Sequence, residues 1–374
     1  MEMRIALVHD YLCGIGGSER VFQYLCKEFK EADIFTLAYN PSKTLPYFKN
    51  IKVNTTWLNK YVQSMEAFRW SFPFATYVME GIDLSKYDLV LSSSATVAKY
   101  VRVPNGTHVC YCYIPTRALW QFEEYFGKSI KAQFLKFIIP LLKKRDYKVS
   151  QRINHFIAIS NSSRHYIKKY YDRDSTIIFS PIDIEKFRIS SVKKEHFLIV
   201  SRLEHWKRVD YAIEAFNKIK LPLRIIGTGK DEKRLKAMAE PNIEFLGEVD
   251  DNTLIREYGE AKAVIFTPQL EYGLIPLESI ACGTPVICLG KGGVEETMVP
   301  WESNNSEIPS TAIFFYEQTS ESLMNAINMF EKASFNTQAL IKHSLKWGVT
   351  EFQSKMRLYI NNLLADEKTT DNFN

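Results

Sequence analysis

Ten short apolar runs, most of them rich in Val and Ile, recur down this chain with helical patterns between them, and that alternation limits its fold more than any other feature. The runs are "RIALVHDY", "DIFTLAY", "DLVLSSS", "HVCYCYI", "HFIAIS", "FLIVSRL", "LRIIGTG", "IEFLGEV", "AVIFTP" and "TPVICLG". Strands buried on both faces read as continuous apolar stretches, and parallel pairing needs a crossover helix after each one. Ten of them are too many for one small sheet of this kind. The series also restarts: "HFLIVSRLEHWKRVDYAIEAF", from residue 196, repeats the strand, loop and helix order with which the chain opens. The pattern predicts an α/β protein of two similar domains. A chain of 374 residues with 46% hydrophobic content is long enough to bury two ordinary cores.

The boundary is expected in "FSPIDIEKF", residues 179 to 187, where Pro181 and the polar stretch "RISSVKKEH" interrupt the pattern. This gives domains at 1–184 and 185–347. Residues 348–374 read as an amphipathic helix with a frayed polar tail.

Several function classes drop out early. The formal charge of +5 is a small excess, and no recognition helix or RNA-binding signature accompanies it, so nucleic acid is not an expected partner. Six cysteines at 13, 26, 110, 112, 282 and 288 form no CxxC pair and no zinc spacing. They are expected to be reduced thiols in a cytoplasmic protein. The opening "MEMRIALVHDYL" has too short an apolar core for a signal peptide. "FLKFIIPLL" is broken by Lys136 and Pro140, well short of the roughly 20 residues that span a bilayer.

Three stretches carry chemistry. "CGIGGSERV", residues 13 to 21, follows a strand and opens a helix, where Gly16 and Gly17 let backbone amides approach an anionic ligand. A dinucleotide fingerprint would need a glycine at position 19, which is Glu, so an oxidoreductase site is disfavoured; a plain tight turn remains the alternative. In "SRLEHWKRVDYAIEAF", Arg202 and Lys207 leave a strand's carboxyl end five positions apart. Two such cations suit a diphosphate, with Arg208 as a substitute for Lys207 and a solvated basic loop as the bland alternative. In "LEYGLIPLESIACGTPVI", Gly273 and Pro276 separate Glu271, on a loop, from Glu278, on the following helix. The amides of Gly273, Leu274 and Ile275 suit phosphate or sugar oxygens, and Glu278 suits a ribose diol. A helix-start Glu favoured by the macrodipole is the structural alternative.

Taken in order and spacing, these blocks resemble the retaining glycosyltransferases of family 4 (GT4), the "glycosyl transferases group 1". The resemblance runs through "VHDYLCGIGGSERV", "LSSSATVAKYVR", "HVCYCYIPTRALW", "FIAISNSS", "SPIDIEKF", "VSRLEHWKRVDYAIEAF", "IIGTGKDEKRL", "EFLGEVDD" and "EYGLIPLESIACGTPVI". It is nearest to the bacterial mannosyltransferase branch that builds O-antigen, capsule or exopolysaccharide. The resemblance implies a GT-B fold, two Rossmann-like α/β/α domains facing a central cleft, with the C-terminal helix crossing back to the N-terminal domain. It implies transfer of a hexose, mannose from GDP-mannose above all, to a lipid-linked or oligosaccharide acceptor, with no metal or other cofactor. Arg202 and Lys207 would hold the diphosphate, Glu278 the ribose, and Gly273, Leu274 and Ile275 the sugar and phosphates. Gly16, Gly17 and Gly227 would line the donor site. An inactive sugar-nucleotide-binding subunit is the alternative from another class.

Two positions depart from the family pattern. Its acid pair is spaced E-x7-E, but here Leu270 stands at the first acid's place with Glu271 one residue later. Either a loop shift brings Glu271 to the sugar, or that carboxylate is lost. The branch's "CHTP" histidine aligns with Tyr113, which can still hydrogen-bond a sugar hydroxyl but cannot carry imidazole's charge near neutral pH.

Two segments suggest a surface. Residues 128–152 carry eight Lys or Arg against one Asp among Phe, Leu and Ile, which suits an anionic lipid interface or, equally, a helix packed into the N-terminal domain. Peripheral contact with the inner face of the plasma membrane is the matching location. "WLNKYVQSMEAFRWSFPFATYVM", residues 57 to 79, is a second aromatic-rich candidate, for which core packing is the commoner reading.

Overall fold

The computed structural model describes residues 3–123, 136–301 and 309–371. The chain forms two compact units, Met1–Ser180 with Phe352–Asn374, and Pro181–Glu351. The division falls at Pro181 itself, four residues ahead of the expected boundary, because Ile182 already pairs with Gly348 inside the second unit.

In the first unit the strands are β1 (Ile5–His9), β2 (Asp33–Thr36), β3 (Val53–Thr55), β4 (Leu89–Ser94), β5 (Thr107–Cys112), β6 (His155–Ala158) and β7 (Thr176–Ile177). They form one sheet in the order β3-β2-β1-β4-β5-β6-β7, and every pairing is parallel. All five residues of β1 and all six of β4 and of β5 are buried, as strands covered on both faces must be. The Gly17–Glu28 helix covers the sheet with Val21, Phe22 and Leu25, spaced as one helical stripe. Burying each such side chain is worth roughly 1.5–3 kcal/mol.

The second unit repeats the scheme with β8 (Phe197–Val200), β9 (Leu223–Ile226), β10 (Ile243–Gly247), β11 (Val264–Phe266), β12 (Val286–Leu289) and β13 (Ala312–Phe315), ordered β10-β9-β8-β11-β12-β13 and again parallel throughout. Its core joins Phe197, Ile199, Phe216, Ile225, Ile265 and Ile313. The ten runs read from sequence are ten of these strands. β3, β7 and β13, which the sequence reading lacked, all lie at sheet edges; β3 and β7 are only three and two residues long, while β13 is the apolar run AIFF.

The Val349–Asp371 helix leaves the second unit, and from Phe352 onward it packs with the first. Phe352 meets Tyr111 edge to face, Gln353 donates to the Tyr24 carbonyl at 3.0 Å, and Arg357 pairs with Glu28 at 2.8 Å.

Candidate functional site

A parallel sheet delivers every strand's carboxyl end to one edge, and ligands settle where the strand order reverses. In the second unit that point lies between β8 and β11, which are neighbours although three strands apart in sequence. The loops that meet there carry the residues singled out above. Arg202 follows β8 and is exposed, and Lys207 closes a short 3-10 turn, His205–Lys207, with its ammonium 4.4 Å from the Trp206 ring centroid. This turn is tied across to the end of β11: Thr267 Oγ1 donates to the Lys207 carbonyl at 2.8 Å, and Tyr211 donates to the Thr267 carbonyl at 2.7 Å. Arg208, the possible substitute for Lys207, is engaged elsewhere, pairing with Asp210 at 3.1 Å.

Gly227, at the end of β9, has φ +124 and sits so close to Ser201 that any Cβ would collide with its carbonyl oxygen. Only glycine permits the β8 and β9 loops to lie this close.

After β11 the chain forms the loop that begins at Leu270. Gly293 donates to the Leu270 carbonyl at 2.8 Å, and Gly292, at φ +85, pairs with Leu270. In this pinned loop Glu271 is the buried acid, 9% exposed, while Leu270 is half-exposed. Gly273 caps the Leu274–Ala281 helix, with Pro276 in its first turn and Cys282 as its C-cap. Leu274 and Ile275 are the first two helical residues, whose amides have no intrahelical partner. Glu278, one turn on, is half-buried, and the Tyr258 hydroxyl donates to its Oε2 at 2.8 Å. Tyr258 is fully buried on the Asp251–Glu260 helix. The sequence reading missed it, since nothing in "LIREYGEA" distinguishes a tyrosine that supports a neighbouring helix from one that fills a core.

In the first unit the reversal lies between β1 and β4. Gly16 is the N-cap of the helix that begins at Gly17. The absent third glycine has its explanation here. Glu19 turns back so that a Cβ on Gly16 would stand 2.6 Å from its Oε2, while its Oε1 lies 3.6 Å from His9 Nε2. His9 is stacked on Phe22 and its Nδ1 meets Ser93 Oγ at 3.1 Å. Tyr113 completes the chain: its hydroxyl bonds Ser93 Oγ at 2.9 Å and donates to the Ser18 carbonyl at 3.1 Å. Burial pushes its phenol well above the ordinary range. The hydroxyl expected to touch sugar thus anchors the glycine turn.

Two further buried carboxylates escaped the sequence reading. Asp10 accepts the amides of Ala95, Thr96, Val97 and Ala98 at 2.7–2.9 Å and fixes the loop after β4. Asp146 accepts from Tyr100, Trp120 and Tyr171 at 2.6–2.7 Å and pairs with buried Lys99 at 3.1 Å.

Among the described residues no group of three or more His, Cys, Asp or Glu is arranged to hold a metal ion. No helix among them is long and apolar enough to cross a membrane.

Two parallel Rossmann-like units, with cations, free helix-start amides and a supported carboxylate at the second unit's reversal point, define an enzyme of the GT-B kind. Comparison with known proteins agrees. Residues 15–186 match the family model described as "Glycosyltransferase Family 4" and residues 181–347 the one described as "Glycosyl transferases group 1". Alpha-1,3/1,6-mannosyltransferase ALG2 of Candida glabrata is 20% identical over 83% of this chain and 81% of that protein. Its counterpart in Dictyostelium discoideum is 24% identical over 80% of this chain and 84% of its own length. Among solved structures, sucrose-phosphate synthase from Thermosynechococcus elongatus shares the fold, with a TM-score of 0.75 at 16% identity over 98% of this chain and all of that one. The chain belongs to glycosyltransferase family 4, and it is a glycosyltransferase.

Proposed function

We propose that this enzyme moves a mannosyl group from GDP-mannose to a lipid-linked or oligosaccharide acceptor, with retained configuration and without a metal ion. The observation that carries the reading is the placement of Arg202 and Lys207 after β8 and of the Tyr258-bonded Glu278 on the helix after β11, the two strands that flank the reversal. The curated relatives, all named as mannosyltransferases where they span most of the chain, support the sugar. They come from yeasts and Dictyostelium and lend no support to a role in bacterial surface polysaccharide, which the proposal therefore omits.

In this scheme Arg202 and Lys207 neutralise the departing diphosphate, and the amides of Gly273, Leu274 and Ile275 hold its oxygens or those of the sugar. Glu278 accepts hydrogen bonds from the ribose diol, and Glu271 serves the sugar. The bond from the anomeric carbon to the diphosphate oxygen breaks and a bond to the acceptor oxygen forms on the same face. The acceptor's proton passes to the leaving phosphate, so positioning and phosphate stabilisation are the main demands on the protein. The first unit would hold the acceptor, and the enzyme would work peripherally at the cytoplasmic face of a membrane.

Radiolabelled transfer from a panel of GDP-, UDP-, ADP- and dTDP-sugars to membrane lipid extracts tests this, with metal chelated in a parallel series. Label should move from GDP-mannose alone and survive chelation. Transfer from another donor, or its loss with chelator, would overturn the corresponding part.

A further inference from the structure

The two segments singled out from sequence as surface candidates come together in the first unit; of 128–152, residues 128–135 lie outside the described residues. The Met65–Glu80 and Ile139–Ser150 helices both pack on the Ala98–Tyr100 turn and meet through their side chains. Phe72 and Leu142 pack on the cluster of Leu119, Phe122 and Ile139. Further along, the Arg145 guanidinium lies 3.6 Å from the Tyr77 ring centroid, and Glu80 accepts from Arg145 and Arg152 at 2.5 and 2.6 Å. Residues 77 and 80 of the first helix thus meet Arg145 of the second and Arg152 just beyond its end.

Each is half structural. Phe68, Ala75 and Met79 of the first, and Asp146 and Val149 of the second, are buried. The outward faces differ. The first presents Trp70, Phe74 and Tyr77, at 69%, 71% and 59% exposure and at i, i+4, i+7 spacing. The second presents Phe137, in the turn ahead of the helix, and Leu141, at 87% and 70%, followed by exposed Lys144 and Lys148 on the same stripe. A monomer in water rarely leaves so many large apolar side chains on one face.

Charge decides what covers them. Glu80 is consumed by Arg102, Arg145 and Arg152, Asp146 is buried, and Glu123 lies 3.5 Å from Lys136. Glu66, one turn before Trp70, is the exposed acid on the first stripe. A second copy meeting this face across a two-fold axis would bring like-charged lysines into the same contact. A bilayer with anionic headgroups accepts both parts, the aromatic and aliphatic side chains entering the interface and the lysines meeting the headgroups.

We propose that the paired face of Trp70, Phe74, Tyr77, Phe137, Leu141, Lys144 and Lys148 docks the enzyme on an anionic lipid bilayer. It extends the reading of a lipid-linked acceptor, and its test requires no sugar transfer. Co-sedimentation of the full chain with vesicles of phosphatidylcholine, alone or mixed with phosphatidylglycerol, should show binding to the mixed vesicles that weakens as salt is raised. The double variant W70S/L141S should lose that binding at least tenfold. K144Q/K148Q should weaken it on the order of twentyfold, from about a fivefold loss per lysine. Both variants should keep wild-type circular dichroism and wild-type GDP affinity, since they alter exposed side chains only. Failure of the wild type to sediment with mixed vesicles, or undiminished binding by W70S/L141S, would overturn the proposal. So would a wild-type dimer in gel filtration that W70S/L141S dissociates, since a second copy would then cover the face. Loss of transfer from GDP-mannose with vesicle binding intact would instead strike the donor reading and leave this one standing.

Discussion

The two sheets have the same topology at their reversal points and spend their polar residues there in opposite ways. At the β1/β4 point most polar groups bond one another: Asp10 takes four loop amides, and His9, Ser93, Tyr113 and Ser18 form one hydrogen-bonded chain, with the buried His9 Nε2 and Thr96 Oγ1 left outside it. At the β8/β11 point Arg202 is exposed, Gly273 caps a helix, and Glu278 accepts a hydrogen bond from Tyr258. The first edge is a frame tied largely by its own hydrogen bonds, and the second carries the groups proposed to bind the donor. Substitutions at the first should therefore register as stability, and at the second as donor affinity.

The largest expected effect is on the frame. Replacing Asp10 by Ala leaves four loop amides without acceptors in a site where the carboxylate is 3% exposed. Each unmet buried donor costs about 1–3 kcal/mol, so a loss of about 4 kcal/mol or more is expected in urea unfolding. A loss below about 1 kcal/mol would show that the loop does not depend on this carboxylate.

Next comes Arg202→Ala. An exposed arginine contributes little to folding, so the melting temperature should hardly move. A charge-assisted hydrogen bond to a diphosphate is worth about 1.5–3 kcal/mol, so GDP binding by calorimetry should weaken between tenfold and a hundredfold. Unchanged affinity would remove Arg202 from the donor site and leave the contrast between the edges without its main support.

The contrast also explains what the sequence disclosed. Strands of the sheet centres were legible because burial on both faces writes an unbroken apolar run, as in "AVIFTP" and "TPVICLG". β3 and β7, three and two residues long at the sheet edge, need no such run. The groups proposed to face the donor stood out because Arg, Lys and Glu gather around glycine and proline turns at strand ends, although each alone also suits a solvated loop or a helix start. The frame was not. Asp10, His9 and Asp146 act through partners far away in sequence, Asp10 through amides 85 to 88 positions later. Glu19 was visible only as a missing glycine, and its meaning needed His9 brought beside it by the fold.

A third effect lies in the first unit away from that edge, at Glu80. Burial alone would raise the Glu80 carboxyl, but hydrogen bonds from Arg152, Arg145 and Arg102 bring it down from 4.5 to about 2. A depressed carboxyl adds stability that is complete above the unfolded value and is lost as pH falls through the folded one. Glu80→Gln should thus cost about 2 kcal/mol near pH 7, and the gap to the wild type should close between about pH 4.5 and 2. Urea midpoints at a series of pH values measure it, and a gap independent of pH would mean that the three arginines do not act through this charge.

The smallest effect is the most discriminating, because it removes one hydroxyl from each edge. In Tyr258→Phe the ring still fills its buried place, while Glu278 loses a donor that fixes its orientation. Glu278 is half-buried, so water takes over part of that bond, and a net loss of about 1 kcal/mol is expected. If Glu278 binds the ribose, the loss appears as about a fivefold rise in donor KM with kcat little changed, since orienting a binding group acts on ground and transition states alike. In Tyr113→Phe the same atom is lost from the frame, where it bonds Ser93 and the Ser18 carbonyl. That variant should lose about 1 kcal/mol of stability with its donor KM unchanged. If Tyr113→Phe were instead the variant that raised donor KM, the phenol would be a sugar ligand after all, and the glycine turn it anchors would belong to the donor site.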